Sequence, residues 1–496
     1  METLFYVPLK MNRMYIRGNG EKRGKRIVLE PGRYITTDTY FGCFPCEPYT
    51  EHTTIKDIRV IIELKGRGKI KLHCFTLAED QVIHEFDFNE ENETEIILTA
   101  CLAEHTMGCL YVEVVAEKES EIISIRYEGE GEVRKTQITI IICSYKRDAF
   151  ILRNLQLLSD TISEDDFLRE SLDVICVDNG RTLTADISGV RLVQNRNFGG
   201  SGGYARGMME ADKCTHIWMM DDDIQFNPSI LRRAVTFIRH RNNDEIRLAA
   251  GMFSFETPTI QNEATASFNG YTFISNGHGL DFKEKSALLN NRIEFPEHVY
   301  GGWWSLIMPA TNELPMPFFI KIDDVEYALR KPGIFVIMNG FGVWHEAFGK
   351  KGNAWTEYYT TRNTLILQDI YPELPHSAVK MMAIRLLKAL AYGEPKCMEA
   401  AFRGVEDYAA GAEKFREVNP EQRHREILEK FAVPLMSDMS RKKMLRYAAI
   451  NIFRPHNWRS IGLFFKAVRR IDRRRKNSPW NQLNTVDFWQ NYFRLN

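Results

Sequence analysis

Apolar and polar positions alternate in short runs over the first part of the chain. IRVIIEL, IKLHCFTL, TEIILTA, CLYVEVVA and IISIRYEG fall between Arg26 and about Val133, separated by Gly, Asn and charged turns. Period-two runs at that spacing predict antiparallel strands in a sandwich or barrel. The polar stretch EGEGEVRKTQ then reads as a linker. Beyond it the rhythm changes. ITIIICSYKR, DVICVDNG and RLVQNRN are apolar runs, each followed by helix-like or polar residues, the pattern of an α/β domain with a mostly parallel sheet. After about Tyr371, strand signals give way to helical ones in HSAVKMMAIRLLKALAYGE, CMEAAFRGVEDYAAGAEKFREV and EQRHREILEKF. The expected organisation is an N-terminal antiparallel β-sandwich over residues 1–133, an α/β Rossmann-like central domain over 134–372 and a C-terminal helical domain over 373–496.

Composition narrows the class. The 496 residues are 44% hydrophobic and 26% charged, which fits a globular protein and excludes extended disorder and collagen. Lys+Arg 65 balance Asp+Glu 66, so no nucleic-acid partner is expected for the chain as a whole. The 9 cysteines are odd in number and scattered, which points to a reducing compartment rather than a disulfide framework. The opening METLFYVPLKMNRMYIRGNG lacks the order of a signal peptide, and no apolar run approaches the roughly 18 residues of a spanning helix. A membrane role is therefore expected from the cytoplasmic face. Arg441 to Lys476 carries more than ten Lys or Arg against one acid, Asp472, interleaved with Trp458, Leu463, Phe464, Phe465, Val468 and Ile471. Such basic amphipathic helices either lie on an anionic bilayer or pack as a solvated face.

Four stretches can carry chemistry. HIWMMDDDIQFNP ends an apolar strand in Asp221, Asp222 and Asp223. Crowded carboxylates need a compensating cation, and at a strand's carboxyl end alternate Asp221 and Asp223 can hold Mg2+ or Mn2+. QNRNFGGSGGYARGMMEA runs from a strand into a helix, with Gly199, Gly200, Gly202 and Gly203 at the start and Arg206 one turn in. A helix start of this kind suits phosphate, although the spacing matches neither a Walker A loop nor a GxGxxG fingerprint. In PFFIKIDDVEYALR, Asp323 and Asp324 can serve as a general base or as a helix cap. VWHEAFG places His345 after another apolar strand, where it could complete a metal shell or a phosphate site. Between these lies YGGWWSLIMP, whose Trp303 and Trp304 either stack on sugar or pack in a core.

Taken in order, CSYKR, VDNG, NRNFGGSGGYARG, MDDDI, GGWWSLI, IKIDDVEYALR, VWHE and YYTTRN resemble an inverting family 2 glycosyltransferase of the GT-A fold. Together with TDTYFGCFPCEPY they resemble the bacterial galactofuranosyltransferases in particular. That resemblance implies metal-dependent transfer of galactofuranose from UDP-galactofuranose to a glycan or lipid-linked acceptor in cell-surface polysaccharide synthesis. A rhamnosyltransferase using dTDP-rhamnose shares much of the NFGGSGG and DDxEY pattern and stays open, as does a carbohydrate-binding protein with a degenerate transferase domain. By the same resemblance Asp324 is the catalytic base, and Asp221, Asp223 and His345 bind the metal. Ser144, Arg147, Asp178, Asn197, Gly199, Gly200, Arg206 and Asp222 contact the nucleotide sugar, and Trp303, Trp304, Asp323 and Glu326 line the acceptor side. The basic C-terminal helices lead to an expected peripheral place on the inner face of the membrane, and a homo-oligomer is expected by analogy.

Overall fold

The computed structural model describes residues 1–346, 352–435, 439–474 and 479–495. Residues 347–349 of VWHEAFG, and Arg475 and Lys476 of the basic stretch, lie outside the described residues.

The N-terminal region is a ten-stranded antiparallel sheet built on one long strand, β1 (Asp57–Phe75). IRVIIEL and the IKLHCF part of IKLHCFTL, expected as separate strands, are the two halves of β1. The chain between them bends rather than turns, at Gly66, where φ is +118°. β2 (Asp80–Cys101) follows β1 around this corner. On the other edge β1 changes partner, from β4 (Ser120–Glu130) along Asp57–Lys65 to β3 (Cys109–Ala116) along Gly68–Phe75. The first half of β2 is mostly exposed, with Phe88 its one buried side chain. It is a strand because β1 satisfies its backbone groups, a cause no local pattern reveals.

The central sheet contains β5 (Ile138–Ser144), β6 (Leu172–Asp178), β7 (Val190–Gln194), β8 (His216–Asp221), β9 (Ile246–Ala249), β10 (Ser305–Pro309) and β11 (Ile334–Val336). Their order is β7-β6-β5-β8-β10-β9-β11. β10 runs antiparallel to both neighbours and the other pairings are parallel. Apolar runs such as Ile140–Ile142 and Ile217–Met220 are buried on both faces, as a sheet covered on both sides requires. The chain order reverses direction at β5, with β6 on one side and β8 on the other, and ligands gather at such a switch point.

The N-terminal and central regions share one continuous core. Tyr40, Phe41, Cys43, Phe44, Cys46 and Tyr49 of TYFGCFPCEPY are fully buried. Tyr40 donates to the Phe341 carbonyl at 2.8 Å. The Arg233 guanidinium, 1% exposed, donates to the Phe41 and Asn339 carbonyls at 2.9 and 3.0 Å and lies 3.3 Å from the Phe5 ring centre.

Helices α1 (Gly199–Glu210) and α2 (Asp323–Arg330) face the site. The C-terminal part is helical: α3 (Thr356–Ile370), α4 (Ala378–Tyr392), α5 (Pro395–Glu417), α6 (Pro420–Phe431), α7 (Arg441–Asn451) and α8 (Trp458–Arg474). No described helix is long and apolar enough to cross a membrane.

Candidate active site

Ser144, Asp178 and Asp221 end β5, β6 and β8 on one edge of the sheet. The three acids after β8 divide their work. Asp222 turns inward, accepting from Ser144 Oγ at 2.8 Å and from Arg147 Nη1 at 2.9 Å. Burial raises its carboxyl above the usual range even though Arg147 opposes the shift. The same Arg147 nitrogen stands 2.6 Å from Asp223. Asp221 and Asp223 meet His345, at the end of strand β12 (Gly342–His345), with ligand atoms all within 4.8 Å of one another. His345 Nε2 lies 3.0 Å from Asp223 Oδ1 and 3.9 Å from Asp221 Oδ2. Its Nδ1 lies 2.6 Å from the Glu346 carbonyl, which fixes a proton on Nδ1. The Nε2 lone pair then faces carboxylate oxygens, and a divalent cation or a second ring proton reconciles them. Two hard oxygens and one imidazole fit Mn2+ or Mg2+.

One face of α1 touches both acid clusters. Ser201 Oγ donates to Asp323 Oδ2 at 2.8 Å. One turn on, Tyr204 Oη donates to the Met220 carbonyl at 2.8 Å and lies 3.3 Å from Asp221 Oδ1. The glycines make this packing possible. Gly199 has φ +70°, and a Cβ there would meet the Phe319 carbonyl at 2.1 Å; a Cβ on Gly203 would meet Cys143 Sγ at 2.0 Å. The cluster expected to cradle phosphate thus mainly lets protein approach protein. Gly200 differs, because a Cβ there would meet nothing nearer than Asp323 Oδ2 at 3.8 Å, and this glycine stays open on the Asp323 side. Asn197 Oδ1 accepts from the Gly199 amide at 3.1 Å and shapes the helix start.

Asp323 and Asp324 follow a strained turn. Phe319, Lys321 and Ile322 have φ of 72°, 69° and 69°, a region costly for any residue but glycine and most of all for β-branched Ile322. α3 holds the turn: Asn363 Nδ2 donates to the Ile320 and Lys321 carbonyls at 3.1 and 2.8 Å, and Arg362 Nη2 to the Phe318 carbonyl at 2.7 Å. Burial, reinforced by the Asp323 charge, pushes the Asp324 carboxyl up to about 8, and burial raises Asp323 as well.

Several of the expected site residues are engaged by other groups of the protein. Asp178 is 1% exposed, and its carboxylate accepts from the Gly180 and Leu183 amides at 2.9 and 2.8 Å, which fixes the loop after β6. Arg206 pairs with Glu210 at 2.8 Å, not with the acidic triplet. Glu326 is 1% exposed and bound through both oxygens by Arg330. Trp303 and Trp304 are each 6% exposed. Trp303 packs edge-on against Tyr204 and Tyr327, and Trp304 Nε1 donates to the Ala250 carbonyl at 3.0 Å. They form the floor of the site rather than an open stacking surface.

Other residues join the site without a local signal. A groove of about 320 Å3 beyond β5, β6 and β7 is lined by Tyr145, Lys146, Arg181 and Arg196, and across it by Gln422 and Arg425 of α6. Glu263 is 9% exposed, hydrogen-bonded by Ser275 and raised by burial to about 7, and its charge bears on Asp324. Asn363 belongs to the YYTTRN motif, whose residue types alone assign it no role; only the turn it holds reveals one.

Residues 139–274 match the model of Glycosyl transferase family 2. Strands β5 to β9 and the acidic triplet thus lie in a family 2 glycosyltransferase domain, and a helical region follows the central sheet. Among curated proteins the chain is similar to Galactofuranosyltransferase GlfT2 of Mycobacterium tuberculosis, 27% identical over 428 residues that cover 76% of this chain and 66% of that protein. It is also similar to Galactofuranosyltransferase GlfT2 of Mycolicibacterium smegmatis, 26% identical over 459 residues, covering 82% and 70%. The chain thus spans about two thirds of the length of these relatives. A solved structure of GalNAc-T7 with UDP, GalNAc and Mn2+ aligns over 50% of this chain and 49% of that one, at 10% identity and a TM-score of 0.34, too slight a likeness to argue from.

Proposed function

We propose that the chain is a metal-dependent inverting galactofuranosyltransferase that uses UDP-galactofuranose. The observation that supports the reading most is the α1 face, where Ser201 and Tyr204, one helical turn apart, contact Asp323 and Asp221 respectively. A cation site and a base site so close suit displacement at a sugar carbon between a diphosphate and a hydroxyl. Asp324 takes the proton of the acceptor hydroxyl as its oxygen bonds to the anomeric carbon from the face opposite the leaving group. The bond from that carbon to the phosphate oxygen breaks, the nucleoside diphosphate departs, and configuration inverts. Its raised pKa makes Asp324 a stronger base than an ordinary carboxylate. Ser201 holds Asp323 beside it. Asp221, Asp223 and His345 would hold Mn2+ or Mg2+, which when bound offsets charge on the diphosphate. Ser144, Arg147 and Asp222 brace that shell, and Asn197, Gly199 and Gly200 shape the helix start facing the donor. The groove beside Tyr145 takes the nucleoside.

The sequence divisions at 133 and 372 remain part of this reading, with the N-terminal sheet folded over at the Gly66 corner into a sandwich that supports the transferase domain. The acceptor is a cell-surface glycan or glycolipid. α8 leaves Trp458 and Phe465 exposed at 62% and 56%, and the turn between α7 and α8 leaves Phe453 exposed at 79%, all among basic residues, which suits peripheral attachment to an anionic inner membrane face. The test is nucleotide release by the purified chain with Mn2+, comparing UDP-galactofuranose, UDP-galactopyranose and dTDP-rhamnose with and without a galactofuranosyl acceptor. Acceptor-stimulated release from UDP-galactofuranose is expected. Release only from dTDP-rhamnose replaces the donor, and inability to bind any nucleoside diphosphate with Mn2+ removes the transferase reading.

A further inference from the structure

The helical region encloses a cavity of about 270 Å3 that the transfer step does not use. Phe319, whose carbonyl packs on Gly199, forms part of its wall, so the cavity lies against the turn that carries the base. Its lining is rich in cations: Arg362, Arg403, Lys414, Arg423 and Arg470 face it, against Glu406 and Asp407. Both acids are already engaged. Arg403 reaches Glu406 and Asp407 at 3.1 Å each, Arg423 lies 3.5 Å from Asp407, and Tyr358 Oη donates to Asp407 at 2.6 Å. Lys414 pairs outside with Glu417 at 2.6 Å.

Arg362 is the telling residue. It is 5% exposed, and among the described residues no carboxylate lies within ion-pair distance of it or of Arg470. Its guanidinium donates to the Phe318 carbonyl, Asn363 Oδ1 and Tyr358 Oη at 2.7, 2.9 and 3.0 Å, which leaves part of its fork of five N–H groups for another acceptor. Tyr358, Tyr359 and Phe415 surround it, with ring centres 5.1, 5.1 and 5.0 Å away. A buried guanidinium calls for an anion, and its planar fork matches phosphate oxygens.

We propose that this cavity binds a phosphate-bearing ligand, a diphosphate group held by Arg362, Lys414 and Arg470. The positive lining does not stop at the cavity. Arg470 also borders a neighbouring groove with Lys466, Arg469 and Arg473, on the helix that exposes Trp458 and Phe465. A diphosphate on an apolar tail would find cations for its head and an apolar surface for the tail. The same group could come from a lipid-linked acceptor or from a soluble diphosphate. Assignment to an acceptor rests on the transferase reading; the oxyanion site does not.

The test uses the full chain in chelator, so that metal-dependent donor binding is silent, with inorganic diphosphate and farnesyl diphosphate titrated by calorimetry. Both Lys414 and Arg470 are exposed, so Lys414→Ala/Arg470→Ala should fold normally, as an unchanged melting temperature would verify. Wild type should bind diphosphate, and the double variant about tenfold or more weakly, while UDP–Mn2+ binding stays unchanged. Tighter binding of farnesyl diphosphate than inorganic diphosphate supports a lipid source, and equal affinity supports a soluble one. No diphosphate binding in chelator, or equal affinity in wild type and double variant, overturns the site. Loss of UDP–Mn2+ binding in wild type would instead count against the transferase reading alone.

Discussion

Two acid clusters meet along α1, and they are built in opposite ways. Asp221–Asp223 closes a strand buried on both faces, and its charge is met on the spot by Arg147 and His345. Asp323–Asp324 starts a helix after three left-handed residues, and the turn is held from α3 by Asn363 and Arg362. Each left-handed non-glycine residue costs on the order of 1–3 kcal/mol, strain the surrounding fold must hold in place. The difference separates two tasks. At the triplet Arg147 opposes the rise that burial imposes on Asp222, whereas at the pair burial and a like charge act together to raise Asp324.

The sharpest break in that comparison is Asp324→Asn. Transfer should fall by about a hundredfold to ten-thousandfold while UDP binding with Mn2+ holds, because only the proton acceptor is lost. Retained turnover would remove Asp324 from the base role. In the wild type, activity should climb with pH toward about 8, as Asp324 loses its proton, and then level. Stability runs the other way. A carboxyl with a raised folded-state pKa favours the fold fully below its unfolded value of about 3.9 and loses that contribution as pH rises through about 8. Melting temperature should therefore decline across that window, less steeply in Asp324→Asn, and Glu263, raised to about 7, adds in the same direction.

Asp223→Asn should break the other cluster. Metal-dependent UDP binding is lost, and transfer falls by about a hundredfold or more, with the fold intact because Asp222 still holds Ser144 and Arg147. UDP affinity that is unchanged by Mn2+ in both proteins would leave the triplet a structural feature. Asn363→Ala comes next in size. It leaves buried carbonyls without their donor, at about 1–3 kcal/mol of stability, and lets the turn relax. kcat should drop about tenfold with nucleotide affinity little changed, and the midpoint of the pH profile should fall as Asp324 gains water. A melting-temperature loss without either kinetic change would make Asn363 a structural residue only.

How far each cluster could be read from sequence follows from how each is built. IWMM before DDD places the triplet at a strand end, and parallel strands read as unbroken apolar runs, so both the strand and the acids at its end were legible there. The DD pair was legible as acids, but its turn was not: left-handed Ile322 is a position sequence patterns argue against, and the partners that stabilise it come from α3, about forty residues on. The same separation hid the true surroundings of Trp303, Trp304 and Glu326. Adjacent tryptophans read from sequence as either a stacking surface or core, and only Tyr204, Tyr327 and Ala250 closing around them decide for core. In the N-terminal sheet, β2 was half invisible because its strand character is supplied by β1.

Arg206 gives the smallest effect and the finest discrimination. It sits one turn into the helix whose start faces the proposed donor site, where a guanidinium could reach a diphosphate. Instead it pairs with Glu210 four residues on, an arrangement worth about 0.3–0.5 kcal/mol on a helix surface. Glu210 is held from the other side by Arg191, so losing Arg206 does not leave that acid unpartnered. Arg206→Ala should therefore change donor KM by less than about twofold and stability by no more than the pair is worth. A large rise in donor KM with kcat preserved would show that Arg206 leaves Glu210 when donor binds, and would move the diphosphate from the Arg147 side of the site toward α1.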